Sequence, residues 1–298
     1  MSVEENVYAL EKKRIAKSFG SAAKHYELVD QLQRTIADRL IERLDYFKLE
    51  PTTILDLGSG PGTSAKKLSK YYKKANITEV DISQAMLIHS ASNSPRFFSK
   101  RSRLCSDAEA LAVRSRSVDL VYSNLMLQWC DDLDLALQEA RRVLLPNGLL
   151  LFSTFGPDTL KELRKSWQLV DEDIHVNAFV DMHDIGDALI RAGMENPVME
   201  TETITLEYQD AKVLMQELKM IGAHNVNKGR RKTLTGKTRL RSMLSHYEQW
   251  RVNDYLPATY EVIYGHAWKP EMVSASKIDA QTHSFPISAI TRSSDQNE

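Results

Sequence analysis

The chain has 298 residues, 42% of them hydrophobic and 27% charged, with a formal net charge of −1. This composition supports one large or two small globular domains, and it provides no global attraction to nucleic acid or to a membrane, so any basic contact surface must be local. Its two cysteines, Cys105 and Cys130, make no disulfide framework and fit a reducing compartment.

In chain order, Met1 to Lys17 is charged and includes Glu4, Glu5 and Glu11. It has neither the apolar centre of a signal peptide nor the acid-poor composition of a transit peptide. No apolar run approaches the roughly 20 residues of a membrane-spanning helix, so the expected location is the cytoplasm. Leu32, Ile36, Leu40, Ile41 and Leu44 recur at helical spacing and predict an amphipathic helix over about 28–45. Pro51 breaks the chain before a strand from Thr53 to Asp56. A glycine loop and the helical stretch Thr63 to Lys70 follow. Asn76 to Val80 is a second strand ending at Asp81, with Ser83 placed to cap a helix over Gln84 to Ser90. Val118 to Ser123 is a third strand and Leu133 to Leu145 an amphipathic helix. Pro146-Asn147-Gly148 ends that helix ahead of a strand over Leu149 to Ser153.

After Phe155 the pattern loosens. Asp158 to Trp167 reads as a helix, and Asp184 to Ala192 as a helix closed by Gly193. Val198 to Tyr208 and Thr259 to Trp268 alternate as strands, with a polar, basic, helical insertion over about 209–250 between them. Residues 269–298 are polar and aperiodic and read as a disordered tail. Strands alternating with helices imply an open, mostly parallel α/β sheet. The organisation expected is a single domain over 1–268, with an N-terminal helical cap at 1–48 and a ligand-binding core at 50–155.

The most informative stretch is Asp56-Leu57-Gly58-Ser59-Gly60-Pro61-Gly62. A strand, a glycine turn and a helix start bring backbone close to a ligand at the carboxyl edge of a parallel sheet. The loop lacks the Lys-Ser/Thr pair of a P-loop, which argues against a triphosphate. Asp56 at the strand end suits a ligand with a cationic amino group or hydroxyls, all of which S-adenosylmethionine carries. Asp81, about 20 residues on, can hold the two hydroxyls of a ribose. A Rossmann dehydrogenase shares this acid, so the pair alone does not separate NAD from S-adenosylmethionine. Asp107 ends a further strand, where its carboxylate could accept from an adenine amino group. Asn124 ends the Val118 strand at the crevice, and Trp129 beyond it could cover a substrate.

In order and spacing, these segments resemble class I S-adenosylmethionine-dependent methyltransferases over about 50–155. The first motif is the glycine loop, the second Val80-Asp81-Ile82-Ser83 and the third Ser106-Asp107. The resemblance implies a seven-stranded Rossmann-like sheet with its last strand antiparallel and helices on both faces. It also implies a cofactor set of Asp56, Gly58, Gly60, Gly62, Asp81, Ile82, Met86, Asp107, Ala108 and Asn124, and no metal. Further segments resemble the malonyl-acyl-carrier-protein O-methyltransferases of biotin synthesis. These are Phe19 to Glu27 with Leu32-Gln33, Ser123-Asn124-Leu125 with Leu127 to Cys130, and Ile221-Gly222-Ala223-His224-Asn225. Ser59 stands where that family often has cysteine, and either small side chain keeps the turn.

The reaction so implied transfers a methyl group to the free carboxylate of a malonyl thioester on a carrier protein. That carboxylate is already ionised at neutral pH, so alignment and desolvation carry the catalysis rather than a general base. Arg142 is the expected bidentate contact to the carboxylate, and Tyr26 is expected to close the N-terminal segment over the cofactor, with Asn124 and Trp129 completing the catalytic set. The basic run Lys228, Arg230, Arg231, Lys232, Lys237, Arg239 and Arg241 suits an acidic carrier protein. RNA would want stacking aromatics interleaved with it, and none are. Two other readings stay open. The C-terminal half also resembles an arginine-modifying assembly factor of respiratory complex I, and a small free acid could be the methyl acceptor.

Overall fold

Along the strand Thr53–Leu57 (β1) successive side chains leave opposite faces: Ile54 enters one apolar layer, Leu55 and Leu57 the other. Val118–Asn124 (β4) repeats this, with Leu120 and Tyr122 on the first side and Val121 on the second. A strand buried on both faces belongs inside a sheet covered by helices on both sides, which is the architecture found. The structure, a computed structural model, describes residues 9–94, 99–233 and 235–271.

Lys12–Ala22 (α1) and Gln31–Glu42 (α2) precede β1, and Thr63–Tyr71 (α3) follows it. Then come Asn76–Asp81 (β2), Gln84–Ser92 (α4), Arg101–Cys105 (β3), β4, Leu133–Val143 (α5) and Leu144–Phe155 (β5). Lys161–Gln168 (α6), Met182–Arg191 (α7), Glu195–Tyr208 (β6), Ala211–Met220 (α8), Lys237–Tyr247 (α9) and Leu256–Trp268 (β7) complete the chain. One seven-stranded sheet has the order β3-β2-β1-β4-β5-β7-β6. β7 runs antiparallel to both neighbours, and the pairings among β1 to β5 are parallel. The connections reverse direction between β1 and β4, and the crevice at their carboxyl ends is where such sheets bind ligands.

Several boundaries differ from the sequence reading, among them β6 and β7, which begin at Glu195 and Leu256 rather than Val198 and Thr259. The helix expected to run to Leu145 stops at Val143, and β5 starts at Leu144, which pairs with Val118. Pro146-Asn147-Gly148 therefore lies within β5, where Asn147 N donates to Lys269 O and Lys269 N donates to Gly148 O. The insertion holds two helices, α8 and α9, with irregular chain between them. Of the tail expected over 269–298, residues 272–298 lie outside the described residues. Lys269 itself is 7% exposed, and its Nζ donates to Leu144 O at 2.6 Å.

Candidate active site

The turn after β1 is held by the neighbouring strand, since Gly58 N and Ser59 N both donate to Val80 O. Three glycines shape it, each at positive φ: +76° at Gly58, +53° at Gly60 and +82° at Gly62. A Cβ on Gly58 would meet Met126, and one on Gly62 would run into Ser90 and Arg101, so packing alone demands both. Gly60 differs, because a Cβ there would have nothing within 4 Å. It lines a cleft of about 900 Å³, and the space beside it is open.

Asp81, on the cleft wall, accepts from Gly60 N (2.9 Å) through Oδ2 and from Ser83 N (2.7 Å) through Oδ1. Burial pushes its carboxyl up to about 6, with the two amide bonds opposing. The loop and the second strand end are thereby locked together. Ile82, Met86 and Ala108 add apolar wall, and Asp107 and Asn124 also line the cleft. Asp107 Oδ1 takes Lys12 Nζ at 2.8 Å and Glu109 N at 3.0 Å.

The cleft is roofed by α1. Lys12, Ile15 and Phe19 line it, Lys12 bridging Asp107 and Glu109 (2.5 Å) while Phe19 meets Trp129 edge-on at 5.0 Å. Burial works against the Lys12 ammonium, yet the bonds to Asp107 and Glu109 outweigh it and hold its pKa above the ordinary lysine value. The chain before α1 is tied to the insertion by Glu11 N to Val226 O and Lys228 N to Ala9 O. Tyr26 also lines the cleft, its phenol pKa raised by burial and by Asp30 and Asp81.

Three comparisons place this geometry. The methyltransferase domain family matches residues 55–152. A malonyl-[acyl-carrier protein] O-methyltransferase of Gallionella capsiferriformans is 46% identical over 270 residues, covering 89% of this chain and 93% of that one. Malonyl-[acyl-carrier protein] O-methyltransferase 1 of Coxiella burnetii is 41% identical and covers 96% and 98%. This chain belongs to the malonyl-[acyl-carrier protein] O-methyltransferase family. The fold likeness reaches further: the YcgJ protein of Bacillus subtilis superposes with a TM-score of 0.57 at 15% identity, covering 78% of this chain and 98% of that one.

Measured against this family's expected site, the structure gathers Tyr26, Gly58, Gly60, Asp81, Ile82, Met86, Asp107, Ala108, Asn124 and Trp129 around one cleft. Three expected residues are not on its wall. Asp56 lies behind the loop, 1% exposed, with Oδ2 lacking a hydrogen-bond partner among the described residues. Burial and then Glu79 push its carboxyl up to about 8, against Arg101. Gly62 closes the turn from behind. Arg142 turns away: Nε and Nη2 bind Glu139, Nη1 donates to Val113 O and Ser115 Oγ, and Nη2 also donates to Leu111 O. Its donors pin the 111–115 loop to α5, so in this structure it has no hand in the cleft. Asn124 lines the cleft, but its amide is used as a brace, Nδ2 to Gln33 O and Oδ1 from Ser153 Oγ.

The basic run divides in the same way. Arg230 grips Glu11 through both terminal nitrogens, its side chain 10% exposed. Arg231 and Arg239 reach Asp173, and Arg239 also Asp171. Lys228, Lys232 and Lys237 stay exposed. Among the described residues, Asp171, Asp173 and His175 have metal-ligand spacing, and these two arginines already answer both carboxylates. No helix of the described residues is long and apolar enough to cross a membrane. Lys12, on the cleft wall, and its ion-pair partner Glu109 were not legible from the sequence. The one signal that could have found Lys12 is its place at the start of an amphipathic helix, and nothing local marks Glu109.

Proposed function

We propose that this protein transfers a methyl group from S-adenosylmethionine to the free carboxylate of a malonyl thioester on an acyl carrier protein, giving the malonyl methyl ester. The observation that carries this reading is near-full-length identity above 40% to proteins of that name, together with a cleft whose residues suit the donor. Gly60 leaves room at the backbone, Asp81 suits the ribose hydroxyls, and Ile82, Met86 and Ala108 suit the adenine faces. When bound, the donor supplies a methyl group on a positively charged sulfur, which a carboxylate oxygen can accept as neutral thioether departs. The chain's own task is exclusion and alignment. Phe19 and Trp129 roof the cleft against water, and Lys12, neutralised by Asp107 and Glu109, brings no uncompensated cation to the nucleophile. No proton needs to be removed.

The carrier protein docks, in this reading, on Lys228, Lys232 and Lys237, with Arg230, Arg231 and Arg239 acting as the frame beneath them. The ester hides a charge, so an elongation system with apolar pockets accepts the chain, as the start of biotin synthesis in the cytoplasm requires. The arginine-modifying and free-acid readings are not favoured, because the near-full-length relatives carry the carrier-protein name. The deciding assay incubates purified protein with malonyl-carrier protein and methyl-labelled S-adenosylmethionine. A labelled methyl ester on the carrier is expected, and its absence in a sample that binds the cofactor would end the reading.

A further inference from the structure

A second cavity of about 580 Å³ adjoins the cofactor cleft, and Gln33, Gln128, Trp129, Phe155, Ile221 and Ala223 line both. Much of its remaining wall is apolar, with Leu160, Leu163 and Leu218, and its lining includes no lysine, arginine, aspartate or glutamate. It does include His175 and His224, each with a ring nitrogen already engaged, by Asp171 Oδ1 and by Ser18 Oγ, so a carboxylate-tipped chain would meet no unpaired lysine or arginine here.

Most of the neutral polar groups on this lining are occupied. Gln128 Nε2 donates to Leu125 O and Oε1 accepts from Thr154 Oγ1, Thr159 Oγ1 donates to Glu261 O, and Asn225 Nδ2 bonds Ile174 O. Gln33 is the exception. Its Oε1 is buried and has no hydrogen-bond partner among the described residues, and no other residue lining both cavities has such an atom. An unmet buried amide costs stability, so a group with no structural use is a candidate for a ligand contact. Its backbone is fixed, because Asn124 Nδ2 donates to Gln33 O at 3.3 Å. It is the third residue of α2, where the helix dipole favours an anion. A half-turn of the side-chain amide exchanges acceptor for donor at no steric cost.

We propose that the Gln33 side-chain amide orients the substrate carboxylate at the junction of the two cavities, with the thioester chain lying in the second one. One N–H binds one carboxylate oxygen and leaves the other free to attack. A neutral donor suits this task, since a guanidinium would hold the negative charge more tightly and blunt the nucleophile. The assignment rests on the methyltransferase reading above.

The test compares the wild-type protein with Gln33→Leu, Gln33→Glu and Gln33→Asn, measuring ester formation on malonyl-carrier protein and, separately, the affinity for S-adenosylhomocysteine. Gln33→Leu should lose about 10- to 100-fold in kcat/KM through loss of one hydrogen bond to a charged group. Gln33 also borders the cofactor cleft, so affinity for S-adenosylhomocysteine should fall too, but by much less than kcat/KM. Gln33→Glu should be the weakest variant near pH 8 and regain activity toward about pH 6, where a buried glutamate takes up a proton and becomes a donor again. Wild type and Gln33→Leu should show no such rise. Gln33→Asn, a shorter amide, should fall between wild type and Gln33→Leu. The assignment is overturned if the variants stay near wild-type kcat/KM, or if their losses simply track lost binding of S-adenosylhomocysteine. If the wild type itself makes no ester, the functional reading fails and this assignment with it; active variants beside an active wild type sink the assignment alone.

Discussion

Arg101 and Glu79 form an ion pair of 2.8 Å behind the glycine loop, with side chains 5% and 0% exposed. Arg101 Nη2 also donates to Gly62 O (3.1 Å) and Ser90 Oγ (3.0 Å), and Arg103 reaches Glu79 at 3.3 Å. The glycine loop on the cleft wall is thus supported by a buried charge cluster on β2 and β3. Removing one partner of a buried pair strands the other, at about 3–5 kcal/mol. Glu79→Gln should lower stability to urea by that order and weaken S-adenosylhomocysteine binding with it. Unchanged stability would show that solvent reaches Arg101.

Gly60 and Gly62 should fail in different ways when changed to alanine. Both sit at positive φ, which costs an L-residue about 1 kcal/mol. Gly62→Ala must also displace Ser90 and Arg101, so its main effect should be on the denaturation midpoint. Gly60→Ala has open space; it should fold with a near-normal midpoint and lose cofactor affinity, measured by calorimetry.

Arg142→Gln separates a structural arginine from a catalytic one. Its bonds to Leu111 O and Val113 O would be lost, while the partly exposed pair with Glu139 counts for little, giving about 1–2 kcal/mol of destabilisation. The activity per folded molecule should be unchanged within about twofold, because nothing on the cleft wall moves. A selective rise in KM for malonyl-carrier protein would restore Arg142 to the site.

Asp56 predicts a pH dependence. Its folded carboxyl titrates at about 8 because burial and Glu79 disfavour the charge, against about 4 when unfolded. Between those values the folded state holds a proton that the unfolded state has released, so stability falls as pH rises across that window. Asp56→Asn should flatten this decline. Urea midpoints between pH 5 and about 8 would show it, and equal slopes in both proteins would refute it.

Much of the fold was legible because it is written in short-range pattern. Short segments ending at Asp56, Asp81 and Asn124 located β1, β2 and β4, and the antiparallel ending of the sheet, implied by the family resemblance, was found. Helix ends were less legible. α5 stops early because Leu144 pairs with Val118 and the following residues pair with Lys269, neither of which a local window contains.

By itself the sequence determined where the glycine turn lies at the carboxyl edge of the sheet, since glycines at positive φ and an acid at a strand end are local requirements of backbone geometry. It also determined the family, through segments spread along the chain. Only the tertiary structure decided which charges serve the cleft. Lys12 reaches Asp107 across 95 residues and Arg230 reaches Glu11 across 219, while Arg142, beside the sheet in sequence and in space, spends its donors on its own loop. Charge and hydrogen-bonding capacity are properties of a residue. Whether they are free or already satisfied depends on what folding packs against them.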